Sequence, residues 1–338
     1  MKIQYYLPII TAAILAGTAG VHAEDKPSVI RVGNVGSGYG QPYTTGVGGV
    51  LAAKGWLDAE FKPDGIKIEE NYFTLAGPAI NEALANNSVD IAEYGDLPAI
   101  IGKAAGLKTI VLAGQRGLQT YVGVPSKSTV QSIEELKGKR VGVAKGTYMH
   151  LSFDRKIAQL GLTEKDFDLV NIKTGDGENA LAAASIDAYV EGSGVLRLRD
   201  LGLAKIIYDN KHDPEDWKGQ SVLVVQESFY KKYPDLTKRF LKTWLKAQRW
   251  ECDEANRKES LEIDANTGTP LAYITEDRSG IQQIAVYNPL LDEAVINHFK
   301  FAVKFSKEHS LIKREFEVDP WFDQKLLAEA LTEISWQP

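Results

Sequence analysis

Short apolar runs rich in β-branched residues alternate with stretches of helical period from residue 29 to about residue 210. This alternation is typical of βαβ units, in which helices cover a parallel sheet on both faces. Because ten short strands are many for one open sheet, we expect two sheets. The predicted strands cover residues 29–33, 67–73, 89–94, 109–113, 121–124, 140–144, 169–172, 186–190, 206–208 and 222–225. The predicted helices cover residues 43–53, 78–85, 97–105, 133–137, 147–160, 177–184 and 194–201.

The pattern becomes helical after residue 226. Residues 227–257 have helical spacing, and helical patterns continue to the end, including 292–310 and 322–334. A helical tail of this length needs an apolar surface to pack against, and the first sheet offers one. We therefore expect the chain to cross between the two halves at 114–120 and 210–220. One broad apolar face of the first tail helix is predicted from Phe229, Phe240, Leu241, Trp244, Leu245 and Ala247.

The first 23 residues have the pattern of a secretory signal peptide. Lys2 is followed by an apolar stretch at 5–19, and Val21-His22-Ala23 approximates a small-x-small cleavage site. An uncleaved membrane anchor is the alternative, but the stretch is shorter than the roughly 20 residues that a span needs. Cleavage after Ala23 predicts an exported, soluble chain, with a Gram-negative periplasm as the expected location.

The composition narrows the class of partner. The chain has 338 residues, a formal net charge of −6 and one cysteine, and its basic residues are spread rather than clustered. Nucleic-acid binding relies largely on neutralising phosphates, so we expect no nucleic-acid partner. Disulfides are excluded, and two domains of ordinary size account for the length. Small molecules and proteins are the expected partners.

Known catalytic motifs are missing. The glycine-rich residues 33–40 (G-N-V-G-S-G-Y-G) lack the spacing of a dinucleotide or phosphate-binding loop. The sequence contains neither H-E-x-x-H nor G-x-S-x-G, and its single Cys252 lies within an amphipathic helix pattern. The sequence therefore predicts no catalytic site, no metal and no cofactor.

Strands that end in small residues before a helix begins occur five times. Such corners present unpaired backbone N–H groups at helix N-termini, and several aimed at one cleft would bind an anion. The alternative for any single corner is an ordinary helix cap. The five corners lie at 73–78, 94–96, 145–148, 174–176 and 191–193.

Three blocks in this order resemble the periplasmic binding proteins for aliphatic sulfonates, taurine and nitrate. Residues 73–105 contain F-T-L-A-G-P-A-I-N-E-A-L followed by G-D-L-P, residues 126–147 end in L-K-G-K-R-V-G-V-A-K-G-T, and residues 174–190 contain A-L-A-A-A-S-I-D-A. The resemblance implies an α/β, two-lobed type II periplasmic binding protein fold, with a mostly parallel sheet in each lobe and a helical C-terminal region. Lobe 1 would comprise 24–116 and 217–338, and lobe 2 would comprise 117–216.

The same resemblance implies a function and a set of binding residues. Such proteins are not enzymes: they close on a small solute and deliver it to an inner-membrane ABC permease with its ATPase, here as a monomer. A helix N-cap is the favoured alternative role for Asp96. The residues that match the family's ligand site are Ser37, Gly38, Tyr39, Ala76, Gly77, Pro78, Gly95, Asp96, Gly146, Thr147 and Tyr148.

Two charged residues refine the expected solute. Where many relatives have W-x-x-W-D-P after D-A, this chain has Y-V-E-G-S-G at 189–194, so Glu191 stands near the site and would suit the ammonium of a zwitterion such as taurine. Arg116, at the predicted crossing, would bind a sulfonate or carboxylate in bidentate fashion; a solvated hinge arginine is the alternative.

Other solutes and activities stay open in the sequence. Relatives of this group bind thiamine pyrimidine precursors, aromatic carboxylates or nitrate, and Tyr39, Tyr94 and Tyr148 would then stack on a ring. An enzyme of the related pyrimidine synthase type would need a cluster of histidine and cysteine, which this sequence does not indicate.

Overall fold

The computed structural model describes residues 26–36, 43–173 and 176–338. The predicted signal peptide and the predicted site residues Ser37, Gly38 and Tyr39 lie outside the described residues. Within the described ranges, none of the helices combines the length and the apolar character that a membrane crossing requires.

Ten strands in the described chain form two sheets, as the sequence predicted, and each sheet has five strands. The first sheet has the order β2-β1-β3-β10-β4 and the second the order β7-β6-β8-β5-β9. The strands are β1 (Val29–Val35), β2 (Lys67–Phe73), β3 (Ile91–Gly95), β4 (Thr109–Leu118), β5 (Tyr121–Pro125), β6 (Arg140–Val143), β7 (Asp168–Asn171), β8 (Ala188–Glu191), β9 (Ala204–Asp209) and β10 (Gly219–Gln226).

Both sheets are mixed rather than mostly parallel. In the first sheet, β1 pairs in parallel with β2 and β3, whereas β10 runs antiparallel to β3 and β4. In the second sheet, β6 is parallel to β7 and β8, whereas β5 is antiparallel to β8 and β9. Strands β5 and β10 are each the first strand after a passage between the sheets, so no βαβ unit fixes their direction.

The helices agree with the predicted pattern in most of their bounds. They are α1 (Gly46–Lys54), α2 (Trp56–Phe61), α3 (Ala76–Ala85), α4 (Asp96–Ala105), α5 (Tyr148–Gln159), α6 (Asp176–Ala182), α7 (Gly194–Asp200), α8 (Glu227–Lys232), α9 (Pro234–Cys252), α10 (Arg257–Asp264), α11 (Leu271–Asp277), α12 (Gln283–Tyr287), α13 (Glu293–Glu308) and α14 (Gln324–Glu333).

Two helix predictions need correction. The helix expected over 227–257 breaks at Tyr233, because a residue that precedes proline disfavours the helical region and Pro234 begins α9. The helix expected over 133–137 is a single 3₁₀ turn, Glu134–Leu136, which ends before Gly138 in a left-handed conformation.

The helical tail packs against the first sheet. Its predicted apolar face is buried: Phe240, Trp244 and Leu245 of α9 are almost fully inaccessible. Phe299 of α13 packs edge to face against Trp321 at 5.8 Å, inside the same core as strands β1, β3, β4 and β10. Burial of this face explains why the tail is attached to the first sheet although it follows the second in sequence.

The chain passes between the sheets twice in the described residues. It leaves the first sheet after β4 and enters β5 through residues 119–120, and it returns from β9 to β10 through 210–218. The two passages are bonded to each other, since Thr120 N donates to Asn210 Oδ1 at 2.9 Å and Asn210 N donates to Thr120 O at 3.1 Å. The passages lie at or inside the expected crossings.

Candidate functional site

A cavity of about 280 Å³ lies between the two sheets. The first sheet contributes residues at the carboxyl ends of β1 and β3 together with the N-terminus of α3. The second contributes the N-terminus of α5 and the corner between β8 and α7. Two of the tail helices, α10 and α11, supply a further wall. Ligands of open α/β sheets bind outside the carboxyl ends of the strands, so this is the expected position for a solute.

The structure brings six of the predicted site residues together around this cavity: Ala76, Gly77, Gly95, Thr147, Tyr148 and Glu191. They come from four of the five predicted corners. The fifth corner, at 174–176, lies partly outside the described residues. Ala76 has a φ of +53°, in the left-handed region that favours glycine, which is strain of the kind found at binding turns.

Pro78 and Gly146 belong to these corners but do not line the cavity. Each packs on the other: a Cβ placed on Gly146 would lie 3.5 Å from Pro78 Cγ. The contact joins the N-terminal part of α3 to the turn before α5, so both residues hold the corners in place rather than face a solute.

Asp96 is a structural residue beneath the cavity. It is the first residue of α4, whose N-cap is Gly95, so the predicted N-cap role is wrong. Its fully buried carboxylate accepts hydrogen bonds from Gln220 N at 3.1 Å and from His298 Nε2 at 2.9 Å. Asp96 thereby ties α4 to the start of β10 and to α13.

Arg116 lies away from the cavity lining. Its Nη2 donates to Asp292 Oδ2 at 2.8 Å and to Leu290 O at 3.0 Å. The prediction placed Arg116 at a crossing, but β4 continues to Leu118 and keeps this side chain beside the first turn of α13. Its observed role is to anchor that helix.

Tyr148 joins the two halves of the cavity. Its ring packs so closely on the first sheet that a Cβ placed on Gly219 would lie 2.3 Å from Tyr148 Cδ2. Its hydroxyl donates to Gln119 O, in the first passage, at 3.3 Å. Burial raises the pKa of Tyr148 above its ordinary value, so the side chain stays neutral. Tyr94 also lines the cavity, with its hydroxyl donating to Asn81 Oδ1 at 3.1 Å.

Four carboxylates line the cavity, and the sequence identified only Glu191 of them. Glu191 accepts hydrogen bonds from Tyr189 Oη and from Gly192 N, and its burial raises its pKa. Glu93 on β3 comes from the first sheet, and burial raises its pKa to about 7. The other two belong to the tail helices. Gly46 N donates to Asp264 Oδ1 at 2.7 Å, and Tyr121 Oη donates to Asp277 Oδ1 at 2.9 Å.

Arg278, which follows α11, is the one arginine among the lining residues in the described part of the chain. Its Nε lies 3.7 Å from Asp277 Oδ2, and its Cζ lies 5.6 Å from the centre of the Tyr287 ring. Sequence reasoning missed it because the region 271–278 carried only a helical pattern. No local motif marks a helix terminus that reaches a cavity through tertiary packing.

One group of potential metal ligands occurs among the described residues: His150, Asp154 and Glu164, outside the cavity. Gly146 N donates to His150 Nδ1 at 3.2 Å, so the ring proton of a neutral His150 is on Nε2, which lies 2.8 Å from Glu164 Oε1. That proton occupies the position a metal would take. Burial and Glu164 raise the pKa of Asp154 to about 9, which leaves it protonated near neutral pH. Hydrogen bonding therefore explains His150 and Glu164, and protonation removes the charge of the buried Asp154.

The raised pKa of Glu93 predicts a pH-dependent stability. A carboxyl whose folded pKa lies above its unfolded value stabilises the fold while it is protonated, and this contribution is lost as the pH rises from about 4.5 to about 7. Relative to Glu93→Gln, the wild type is expected to lose about 2 to 3 kcal/mol over this range. Urea unfolding of both proteins between pH 4.5 and 8 measures the difference. A difference that stays constant across the range contradicts the assignment.

Comparisons with known proteins agree with this architecture. The family model described as NMT1/THI5 like matches residues 51–254, which is more than half of the chain. A protein of Bacillus subtilis (strain 168) named as an aliphatic sulfonates-binding protein is 26% identical over 292 residues, covering 85% of either chain. The taurine-binding periplasmic protein of Escherichia coli (strain K12) is 27% identical over 179 residues, covering 52% of this chain and 54% of that protein.

Solved structures are similar over almost the whole chain. The periplasmic sulfonate-binding protein SsuA from Methylobacillus flagellatus KT has a TM-score of 0.78 at 28% identity, covering 92% of this chain and 97% of that chain. The desulfurization enzyme DSZB has a TM-score of 0.66 at 16% identity, covering 90% of this chain and 99% of that chain, and shares the fold alone. The predicted periplasmic binding protein fold is confirmed.

Proposed function

This chain belongs to the NMT1/THI5-like family, and we propose that it is the periplasmic solute-binding component of an ABC importer for an organosulfonate-type solute. The observation that carries the proposal is a cavity lined by strand-to-helix corners from both sheets. Relatives along most of the chain are named for sulfonate binding, and the similar SsuA structure is of a periplasmic sulfonate-binding protein. The partners are the solute and an inner-membrane permease with its ATPase, and the protein acts as an exported monomer.

Closure of two lobes is the proposed mechanism of capture. Lobe 1 comprises 24–116 and 217–338, and lobe 2 comprises 117–216. In the described part of the chain two segments, 119–120 and 210–218, connect the sheets, and they are hydrogen bonded to each other through Asn210. Rotation about such a pair of bonded connecting segments changes the width of the cleft without disturbing either core.

Backbone N–H groups supply part of the proposed anion site. The N-termini of α3 and α5 reach the cavity at Ala76 and Thr147 from different sheets. A helix terminus stabilises a nearby anion by about 0.3 to 1 kcal/mol at the surface and up to about 2 kcal/mol when partly buried. Two termini add to the binding only when the lobes are closed, so the solute itself favours closure.

Glu191 supports a zwitterionic, taurine-like solute. Its carboxylate is buried and oriented by Tyr189 Oη and Gly192 N, and the described cavity lining holds three further carboxylates and one arginine. This excess of acidic groups opposes a plain alkanesulfonate, whereas an ammonium group beside Glu191 compensates the buried charge.

Titration calorimetry and thermal unfolding test the solute class. Taurine at a hundredfold excess over its Kd is expected to stabilise the purified mature chain by about 2.7 kcal/mol. Replacing Glu191 with glutamine is expected to weaken taurine binding about 10- to 100-fold and to leave ethanesulfonate binding no weaker, because only taurine carries the ammonium.

The control for this experiment is Glu134→Gln, an exposed residue outside the cavity, which is expected to bind like the wild type. If another solute stabilises the protein and no sulfonate does, the sulfonate class is contradicted, whereas the proposed solute binding is supported. Equal losses of taurine and ethanesulfonate affinity in Glu191→Gln contradict the zwitterion.

An enzyme is the second candidate, favoured by the similarity of the fold to DSZB. The only cysteine of the chain is Cys252. It lies outside the cavity lining, and burial raises the pKa of its thiol to about 12, so it is a poor nucleophile. Solute binding is therefore better supported than turnover. Recovery of a chemically changed solute after incubation would favour the enzyme.

A further inference from the structure

The guanidinium of Arg278 lines the cavity without a hydrogen bond to any described residue. Its side chain is 14% exposed, and it is held by the charge of Asp277 and by the face of Tyr287. A guanidinium has five N–H donors arranged as a fork, and those of Arg278 are open to an acceptor in the cavity. None of the described residues accepts from these donors, so a solute with anionic oxygens would supply acceptors that the described part of the chain does not.

The neighbouring carboxylates are oriented by other donors. Asp264 accepts from Gly46 N, and Asp277 accepts from Tyr121 Oη. Neither forms the bidentate pair that arginine prefers with a carboxylate. These acids stabilise the positive charge of Arg278 through space and leave its hydrogen-bonding edge unused.

The backbone around Arg278 is held from both halves of the structure. Glu276, two residues earlier on α11, forms a bidentate pair with Arg199 of α7, with distances of 2.6 and 2.8 Å. Lys211, in the second passage, donates to Glu276 O at 2.8 Å. These contacts fix the backbone of α11, and Asp277 with the Tyr287 ring orients the guanidinium, so less side-chain entropy is lost when an anion binds to it.

We propose that Arg278 binds the anionic head group of the solute through two parallel N–H to oxygen hydrogen bonds. The inference rests on the proposed solute-binding function and specifies the anion receptor. The chemistry that fits is a fork of two anionic oxygens, as in a sulfonate or a carboxylate. With the anion on Arg278, the remaining cavity acids face the rest of the solute, which agrees with an ammonium near Glu191.

Calorimetry with three small probes tests the assignment: taurine, its carboxylate counterpart β-alanine, and ethylamine, which has no anion. Arg278→Gln is expected to lower the affinity for taurine or β-alanine, whichever the wild type binds, about 100-fold. Arg278→Lys is expected to lower the same affinity about 10-fold, because lysine keeps the charge but cannot form two parallel hydrogen bonds. Affinity for ethylamine is expected to fall in neither variant. Which of the two anions the wild type prefers distinguishes a sulfonate from a carboxylate solute.

The matched control is Arg116→Lys, an arginine outside the cavity that is expected to bind like the wild type. Circular dichroism and thermal unfolding establish whether each variant is folded. If Arg278→Gln does not fold, the anion affinity of Arg278→Lys alone tests the inference. Unchanged anion affinity in both folded Arg278 variants overturns the inference and leaves the transport proposal intact.

Failure of the proposed solute class gives a different result. If the wild type binds none of the three probes, the sulfonate proposal fails, and the inference is then tested on the solute that co-purifies with the wild type in native mass spectrometry. Loss of that solute from Arg278→Gln supports the anion receptor, and its retention overturns it.

Discussion

Replacing Asp96 with alanine is expected to lower the free energy of unfolding by about 3 to 5 kcal/mol. The change removes a fully buried acceptor and leaves Gln220 N and His298 Nε2 without the oxygen that both contact. Breaking a buried network from one side costs more than the network itself contributes, because the remaining polar groups have lost water as well as their partner.

The measurement is urea unfolding at pH 7 with Asp58→Ala as the matched control. Asp58 lies in the first turn of α2, as Asp96 lies in the first turn of α4, but it is exposed. Its loss is expected to cost at most about 1 kcal/mol, since only the helix-dipole contribution disappears. Equal destabilisation by the two substitutions would contradict the buried network.

Replacing Gly219 with alanine is expected to destabilise the protein by about 2 to 3 kcal/mol and to weaken solute binding. The new Cβ would lie 2.3 Å from Tyr148 Cδ2 and 2.9 Å from its Cγ. The ring contacts Gly219 and also lines the cavity, so relief of the overlap moves either β10 or a residue that lines the site.

Gly114→Ala is the matched control. Gly114 is on the neighbouring strand β4, and a Cβ placed on it would lie 3.7 Å from the nearest atom, Leu291 Cδ2. We expect the cost of Gly219→Ala to fall sharply in a Tyr148→Ala background, as a double-mutant cycle measures. A cost that is the same in both backgrounds would show that the overlap with Tyr148 is not its cause.

The architecture was largely readable from local sequence. Every predicted strand exists, because each is a run of β-branched or aromatic residues bounded by glycine or polar turns, and such runs specify strands without long-range information. The glycine corners were also readable, and four of them meet at the cavity. The direction of β5 and β10 could not be predicted from the sequence, because it depends on where the chain re-enters a sheet.

The charged part of the site could not be predicted in the same way. Asp264, Asp277 and Arg278 reach the cavity from the helical tail, more than 150 residues after the glycine corners of the first sheet. Their sequence neighbourhood is that of any exposed helix. Arg116 was favoured because it stands beside a crossing, yet its side chain turns to Asp292. Tertiary packing alone places Arg278 at the cavity and Arg116 away from it.

We expect that one small solute is held between the two sheets and stays chemically unchanged. Native mass spectrometry of the mature protein, taken from cells without denaturation or incubated with taurine, tests it most directly. We expect one small molecule per chain, released on unfolding with its mass unchanged after prolonged incubation. A chain that retains no small molecule from either source, or one that releases a chemically altered product, contradicts the claim.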